Sequence, residues 1–335
     1  MQSRWESFNA FLQGRKNILI TTHINPDGDA LGSEIELAHY FVQRGISFRI
    51  INADPTPAYF QFLDPEHWIE QFDVNRHVEQ LSMFDCCIVL DVGEYRRLGG
   101  MCDIIKEASL PIACIDHHIS MSRMGDVHVT DNHYSSTGEL VYDLLKENNA
   151  HFTQEIVDAL YTCILTDTGS FRFSNTTALT HQIAADLMEK KARFEYIYAQ
   201  IYESDSKNRS LLKGRLLADM HFEYEDRYAW FALTQDILKK TGTQIWEAEG
   251  FSELPRSVKS VEISIMFTES EDGLVKASFR SKGKFPVNDL AEQFGGGGHK
   301  FAAGAALSMT LDEAILVLRR AVQKHLEKHS DTPSA

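Results

Sequence analysis

Apolar residues along the chain keep two rhythms. From residue 16 to about 185, short runs with no in/out alternation alternate with stretches of helical spacing. The runs are NILIT (17–21), SFRIIN (47–52), CCIVLD (86–91), PIACID (111–116) and DVHVT (126–130), and the helical stretches are 30–44, 136–148, 153–166 and 177–191. A strand that is apolar throughout belongs to a sheet covered on both faces, and intervening helices make such strands parallel. The crossovers are then right-handed. The pattern predicts a doubly wound α/β domain over 1–190.

A charged helical stretch follows and reads as a connector over 191–219. Beyond it, HFEYEDRYAWFALT (221–234), VEISIMFTE (261–269) and LVKASFRSKG (274–283) read as strands, with helices expected at 286–294 and 311–327. This is a smaller α+β domain with a mixed sheet, over 220–328. The tail from Lys328 onward is expected to fray.

Composition adds exclusions. The chain has 335 residues, which favours two domains over one. No segment approaches the roughly 20 apolar residues that span a bilayer, and the start MQSRWESFNAFLQGRK lacks the apolar centre of a signal peptide. The five cysteines form no CxxC pair and lie mostly in apolar runs, so a reduced, cytoplasmic protein is expected. The formal net charge of −15 opposes a long electrostatic grip on duplex nucleic acid.

The acids are placed in a telling way. NILITTHINPDGD, CIVLD and ACID each carry a strand straight into an aspartate, and in open parallel sheets the ligand site lies beyond the carboxyl ends of the strands. Asp27, Asp29, Asp91 and Asp116 should therefore share one rim, with Asp167 delivered by the helix 153–166. Taken singly, each residue has a plainer role. Asp29 would cap a helix, Asp91 would open a turn, and His117 would be a hydrogen-bonded interior histidine. Together, that many carboxylates cannot all stay ionised without cations, and His23 and His117 add nitrogen donors. A mixed carboxylate–imidazole set suits first-row divalent ions, two of which can share a bridging carboxylate. Manganese is the first choice, with magnesium or cobalt as alternatives.

THINPDGDALGS (22–33), the VLDVGE stretch, IDHH (115–118) and TDTGSF (166–171) occur in the order found in the DHH phosphoesterase superfamily, which this chain resembles. The resemblance implies one metal on His23, Asp27 and Asp91, and a second on Asp29, Asp91, His117 and Asp167, with Asp91 bridging. It implies that Asp116 stands behind them, fixing the tautomer of a neighbouring imidazole, and that His118 faces the substrate phosphate. Ser120, Met121 and Ser122, and likewise His133 and Tyr134, depart from residues common in that superfamily.

A second feature is GGGGHKFAAGAAL (295–307). Four glycines disfavour helix and strand alike, which predicts a loop, yet the small residues that follow point to close packing. Successive N–H groups in such a run can cradle an anion, and SFRSKG (278–283) sets Arg280 and Lys282 nearby on a strand. This segment resembles the DHHA1 domain. The likeness implies that Arg280, Gly296, Gly297, Gly298 and His299 contact nucleotide phosphate, with the active site in the cleft between the two domains.

The pair of domains is similar to the compact oligoribonuclease and 3′-phosphoadenosine 5′-phosphate (pAp) phosphatase branch of the superfamily. It implies hydrolysis of short oligoribonucleotides, dinucleotides such as pApA, or pAp by a hydroxide activated between two metals. A hydrolase of short polyphosphates and a non-catalytic nucleotide sensor are the alternatives. Long duplexes and membranes are not expected partners, and a homodimer is the candidate assembly.

Overall fold

The computed structural model describes residues 3–118, 124–270 and 273–329. Ser120, Met121, Ser122 and the tail beyond residue 329 lie outside the described residues, as does the side chain of His299. The chain divides into two compact units, Met1–Ser204 and Asp205–Ala335.

In the first unit, six strands form one parallel sheet: β1 (Asn17–Thr21), β2 (Ser47–Asn52), β3 (Ile69–Gln71), β4 (Cys86–Leu90), β5 (Ile112–Asp116) and β6 (Val127–Thr130). Their order is β3-β2-β1-β4-β5-β6, with every pairing parallel. Among the described residues the α-helices are α1 (Glu6–Leu12), α2 (Gly28–Arg44), α3 (Val74–His77), α4 (Met101–Glu107), α5 (Thr137–Glu147), α6 (Gln154–Asp167), α7 (Ala178–Glu189) and α8 (Phe194–Tyr202). Alternate strand residues feed two cores. Ile18, Ile20, Ile88 and Leu90 pack against α2, α5 and α6, while Leu19, Cys87, Val89 and Cys114 pack beneath α4. That two-sided burial is why the strands carry no polar face. The five cysteines are buried and free.

Strand order reverses between β1 and β4, so a crevice must open where their following loops diverge. Helix packing completes that rim. A Cβ at Gly32 of α2 would lie 2.4 Å from Cys163 Sγ in α6, and one at Gly138 of α5 would lie 2.6 Å from the same atom. Only glycine lets the three helices approach this closely, and that closeness gathers the starts of α2 and α5 and the end of α6.

Two details differ from the sequence reading. Helix α2 begins at Gly28, and its N-cap is Asp27, whose carboxylate accepts the N–H groups of Asp29 and Ala30. Asp29 is therefore not the cap, because the turn delivers the earlier carboxylate to the free N–H groups. The short strand β3 was also not evident, since IEQ lacks an apolar run.

The stretch 191–219 divides between the units. Ile197 of α8 joins the core of the first. Helix α9 (Lys207–Ala218) packs Leu212 and Leu216 against Phe231 and Met266 of the second.

The second unit holds β7 (His221–Glu223), β8 (Tyr228–Leu233), β9 (Ile263–Glu269), β10 (Val275–Ser281), β11 (Gly297–His299) and β12 (Ala302–Leu307), in the order β11-β12-β10-β9-β8-β7. Among the described residues only the β8–β9 pairing is parallel, so the sheet is mixed. Helices α10 (Gln235–Thr241), α11 (Asn288–Glu292) and α12 (Leu311–His329) complete it.

The glycine run passes from a turn at Gly295 into a strand at Gly297. Gly297 and Gly298 pair with Gly304 and Ala303 in a tight hairpin. A Cβ at Gly296 would lie 2.1 Å from Gly304 O, and Gly298 adopts φ +144°. Strand propensity is overridden here by a backbone approach that side chains would block.

Candidate metal centre

The rim of the first sheet collects the acids. Beyond β1, Thr22 fixes the path of the chain. Its N–H donates to Asn52 Oδ1 at 3.2 Å and its hydroxyl to Leu90 O at 2.8 Å. Asn52 in turn donates to Glu34 Oε2 at 2.9 Å. The next residue, His23, engages Ile24 O through Nδ1 at 2.8 Å, which leaves Nε2 aimed at the carboxylates.

Asp91 follows β4 in a left-handed conformation with φ +58°, a backbone state that a non-glycine residue holds only when its surroundings enforce it. It is buried, and its two oxygens face different partners. Oδ2 lies 3.3 Å from His23 Nε2, while Oδ1 lies 3.6 Å from His117 Nε2 and 3.4 Å from His118 Nδ1. His117 Nε2 is also 3.7 Å from Asp29 Oδ2 and 3.7 Å from Asp167 Oδ2. Asp27 Oδ2 stands 3.9 Å from His23 Nε2.

Three residue groups therefore have donor atoms within reach of one point: His23–Asp27–Asp91, Asp29–His117–Asp167 and Asp91–His117–His118. Among the described residues, His23 Nε2 and His117 Nε2 are buried and make no hydrogen bond. Ligand atoms about 2.1 Å from a shared ion stand about 3.0–3.4 Å apart at right-angle to tetrahedral geometry. The observed separations exceed hydrogen-bond length and approach that range, so the donor set fits small divalent ions.

The charges say the same. Burial, with repulsion from Asp91, Asp167 and Asp27, pushes the Asp29 carboxyl well above the usual range, although the Gly138 N–H opposes this. Burial and the charges of Asp91 and Asp27 likewise raise Asp167. Burial would raise Asp91 too, but the contact with His23 and the charges of His118, His23 and His117 overcome it and hold this carboxyl low. Burial lowers His117. His118 is different: burial opposes its charged form, yet Asp116 and Asp91 outweigh burial and hold it up at about 9. Asp116 Oδ1 contacts both the N–H and Nδ1 of His118, at 3.1 and 2.7 Å.

Other residues hold the carboxylates from behind, and sequence reasoning missed them. Thr137 N–H and Gly138 N–H donate to Asp29 at 2.7 and 2.9 Å, and Thr137 Oγ1 donates to Asp91 Oδ1 at 2.9 Å. The start of α5 thus points its free N–H groups at an acid, as helix N-termini favour. Asn175 Nδ2 donates to Asp167 Oδ2 at 3.0 Å. The capping sequence SSTGE signals a helix start, but nothing local names the acid it meets. The side chains of His133 and Tyr134 turn elsewhere, to Asp131 and Arg4, while the backbone of Tyr134 hydrogen-bonds the His117 ring.

In the second unit, Arg280 sits on β10 and its Nε is paired with Glu253, which also holds Arg256 at 2.7 Å. Lys282 Nζ is bound to the carbonyl of Val258.

Residues 17–164 match the DHH family N-terminal domain and residues 240–327 match the DHHA1 domain. The chain is 31% identical over 313 residues to the bifunctional oligoribonuclease and PAP phosphatase NrnA of Thermus thermophilus, covering 93% of this chain and 90% of that one. It is 28% identical to the Bacillus subtilis protein of the same name, covering 90% and 92%. An exopolyphosphatase-related protein from Bacteroides fragilis superposes with a TM-score of 0.92 at 27% identity, covering 99% and 98%. Among the described residues, no helix is long and apolar enough to cross a membrane.

Proposed function

This chain belongs to the DHH family, its second unit carrying a DHHA1 domain, and we propose on that premise that it is a metal-dependent phosphoesterase that hydrolyses short oligoribonucleotides and pAp. The observation that carries the reading is the division of labour at Asp91, whose two oxygens face two separate imidazoles with unpartnered buried nitrogens. His23, Asp27 and Asp91 would hold one divalent ion, and Asp29, Asp91, His117 and Asp167 the other. Manganese suits this mixed donor set, with magnesium and cobalt as the alternatives. Bound there, two such ions supply charge for the phosphoryl oxygens and a more acidic water.

The protein's own groups do the rest. Asp116 orients the His118 ring and stabilises its charged form, so His118 carries a proton to the leaving oxygen. Thr137, Gly138 and Asn175 fix the ligand carboxylates before substrate arrives, which spares reorganisation in the transition state. Arg280, Gly296, Gly297, Gly298 and His299 are proposed contacts for the nucleotide portion of the substrate. The names of the relatives in Thermus thermophilus and Bacillus subtilis support this substrate class over polyphosphate.

The test is a side-by-side assay of the purified protein with manganese against pAp, pApA, a five-residue RNA, pyrophosphate and short polyphosphate. Hydrolysis of the first three is expected. Dominant cleavage of pyrophosphate or polyphosphate would contradict the proposal.

A further inference from the structure

The connection after β4 runs from Asp91 to Gly100 and contains two adjacent arginines with different fates. Val92 and Leu98 anchor it in the core, and Tyr95–Leu98 forms a short 3-10 turn. The loop is also locked to the one after β1. Ile24 N–H donates to Arg97 O at 2.7 Å, and a Cβ at Gly99 would stand 2.5 Å from Ile24 Cγ2. Arg97 is thereby fixed beside the segment that carries His23.

Arg96 points outward, where it pairs with Glu94 with most of its side chain in solvent. Arg97 is half-buried and, among the described residues, has no ion pair. It stands on the loop that leaves the bridging Asp91, and its carbonyl is held by the residue that follows His23. Two segments that carry candidate ligands therefore meet at Arg97.

A charge count shows what this cation lacks. Asp27, Asp29, Asp91 and Asp167 bring four negative charges, which two divalent ions would balance. Arg97 is then a cation beside a neutral cluster, without an ion-pair partner among the described residues, and a partly desolvated guanidinium without a counter-charge is costly. A phosphate group supplies the missing charge and offers two oxygens to the planar fork.

We propose that Arg97 is a substrate-binding residue of the first unit that holds the non-bridging oxygens of the phosphate under attack. The inference rests on the phosphoesterase reading above and adds to it a phosphate contact from the catalytic unit itself.

The experiment compares wild type, Arg97→Gln and Arg97→Lys, each loaded with manganese. Calorimetry measures manganese affinity first, then the affinity for inorganic phosphate, and pAp kinetics follow. Manganese affinity is expected to be equal in all three, because Arg97 is not a ligand. Phosphate is expected to bind roughly 10- to 100-fold more weakly to Arg97→Gln, as for loss of a charge-assisted bidentate contact. The KM for pAp should rise in parallel, and Arg97→Lys should recover part of both. Equal phosphate affinity in wild type and both variants would overturn the role of Arg97. Phosphate binding is scored without turnover, so a wild-type protein that binds phosphate but cleaves no phosphoester would overturn the phosphoesterase reading instead.

Discussion

The hydroxyl of Thr137 donates to Asp91 Oδ1 at 2.9 Å, joining the first turn of α5 to the residue that closes β4. The same residue's N–H holds Asp29 at 2.7 Å, so one threonine restrains two carboxylates that repel each other. Thr137→Val keeps the backbone donor and the volume but removes the hydroxyl. Manganese affinity is expected to fall about 10- to 100-fold, the usual effect of losing a group that orients a ligand, while Thr137→Ser retains most of it. Isothermal titration with manganese reads the difference directly.

Glu34 is fully buried on α2, where burial raises its carboxyl to about 8 despite the hydrogen bond from Asn52. The folded protein then binds one more proton than the unfolded chain between the ordinary carboxylate pKa and about 8. Stability should be free of this effect at acid pH and fall as pH rises through that window, by at most about 5 kcal/mol. Burial pushes Glu36 the same way. Glu34→Gln can still accept from Asn52 and has no proton to lose. Its melting temperature should exceed that of wild type at pH 8.5, and the gap should close near pH 5.

At Gly296, a methyl group would lie 2.1 Å from the carbonyl oxygen of Gly304. Gly296→Ala should therefore separate β11 from β12, at a cost of about 1–3 kcal/mol. Hydrogen exchange should show lost protection for the amides of β11 and of Ala302–Gly304 that face it, with the β10–β12 pairing at Ala305–Leu307 and strands β1 and β4 of the first unit unaffected.

The strands of the first unit other than β3 were legible as apolar runs, most plainly β4 and β5, which are buried throughout, and the acids were legible because they end such runs. Which aspartate caps α2 was not: DGD offers two carboxylates within one turn, and only the course of the chain gives the cap to Asp27. The hairpin at Gly297–His299 was hidden because glycine carries no strand preference; close backbone packing decides it. Thr137 and Asn175 could not be read locally, since each acts on a carboxylate from a distant segment. Arg280 was legible as a cation on a strand, but its pairing with Glu253 depends on the tertiary fold.

The central claim is a pair of ions joined through Asp91. Its most direct measurement is the number of manganese ions bound per chain and their magnetic coupling, taken by calorimetry and electron paramagnetic resonance on wild type and Asp91→Ala. Two coupled ions per wild-type chain are predicted, with coupling and high-affinity binding lost in Asp91→Ala while the protein stays folded. A single ion in the wild type, or two coupled ions that survive the loss of Asp91, would contradict the account.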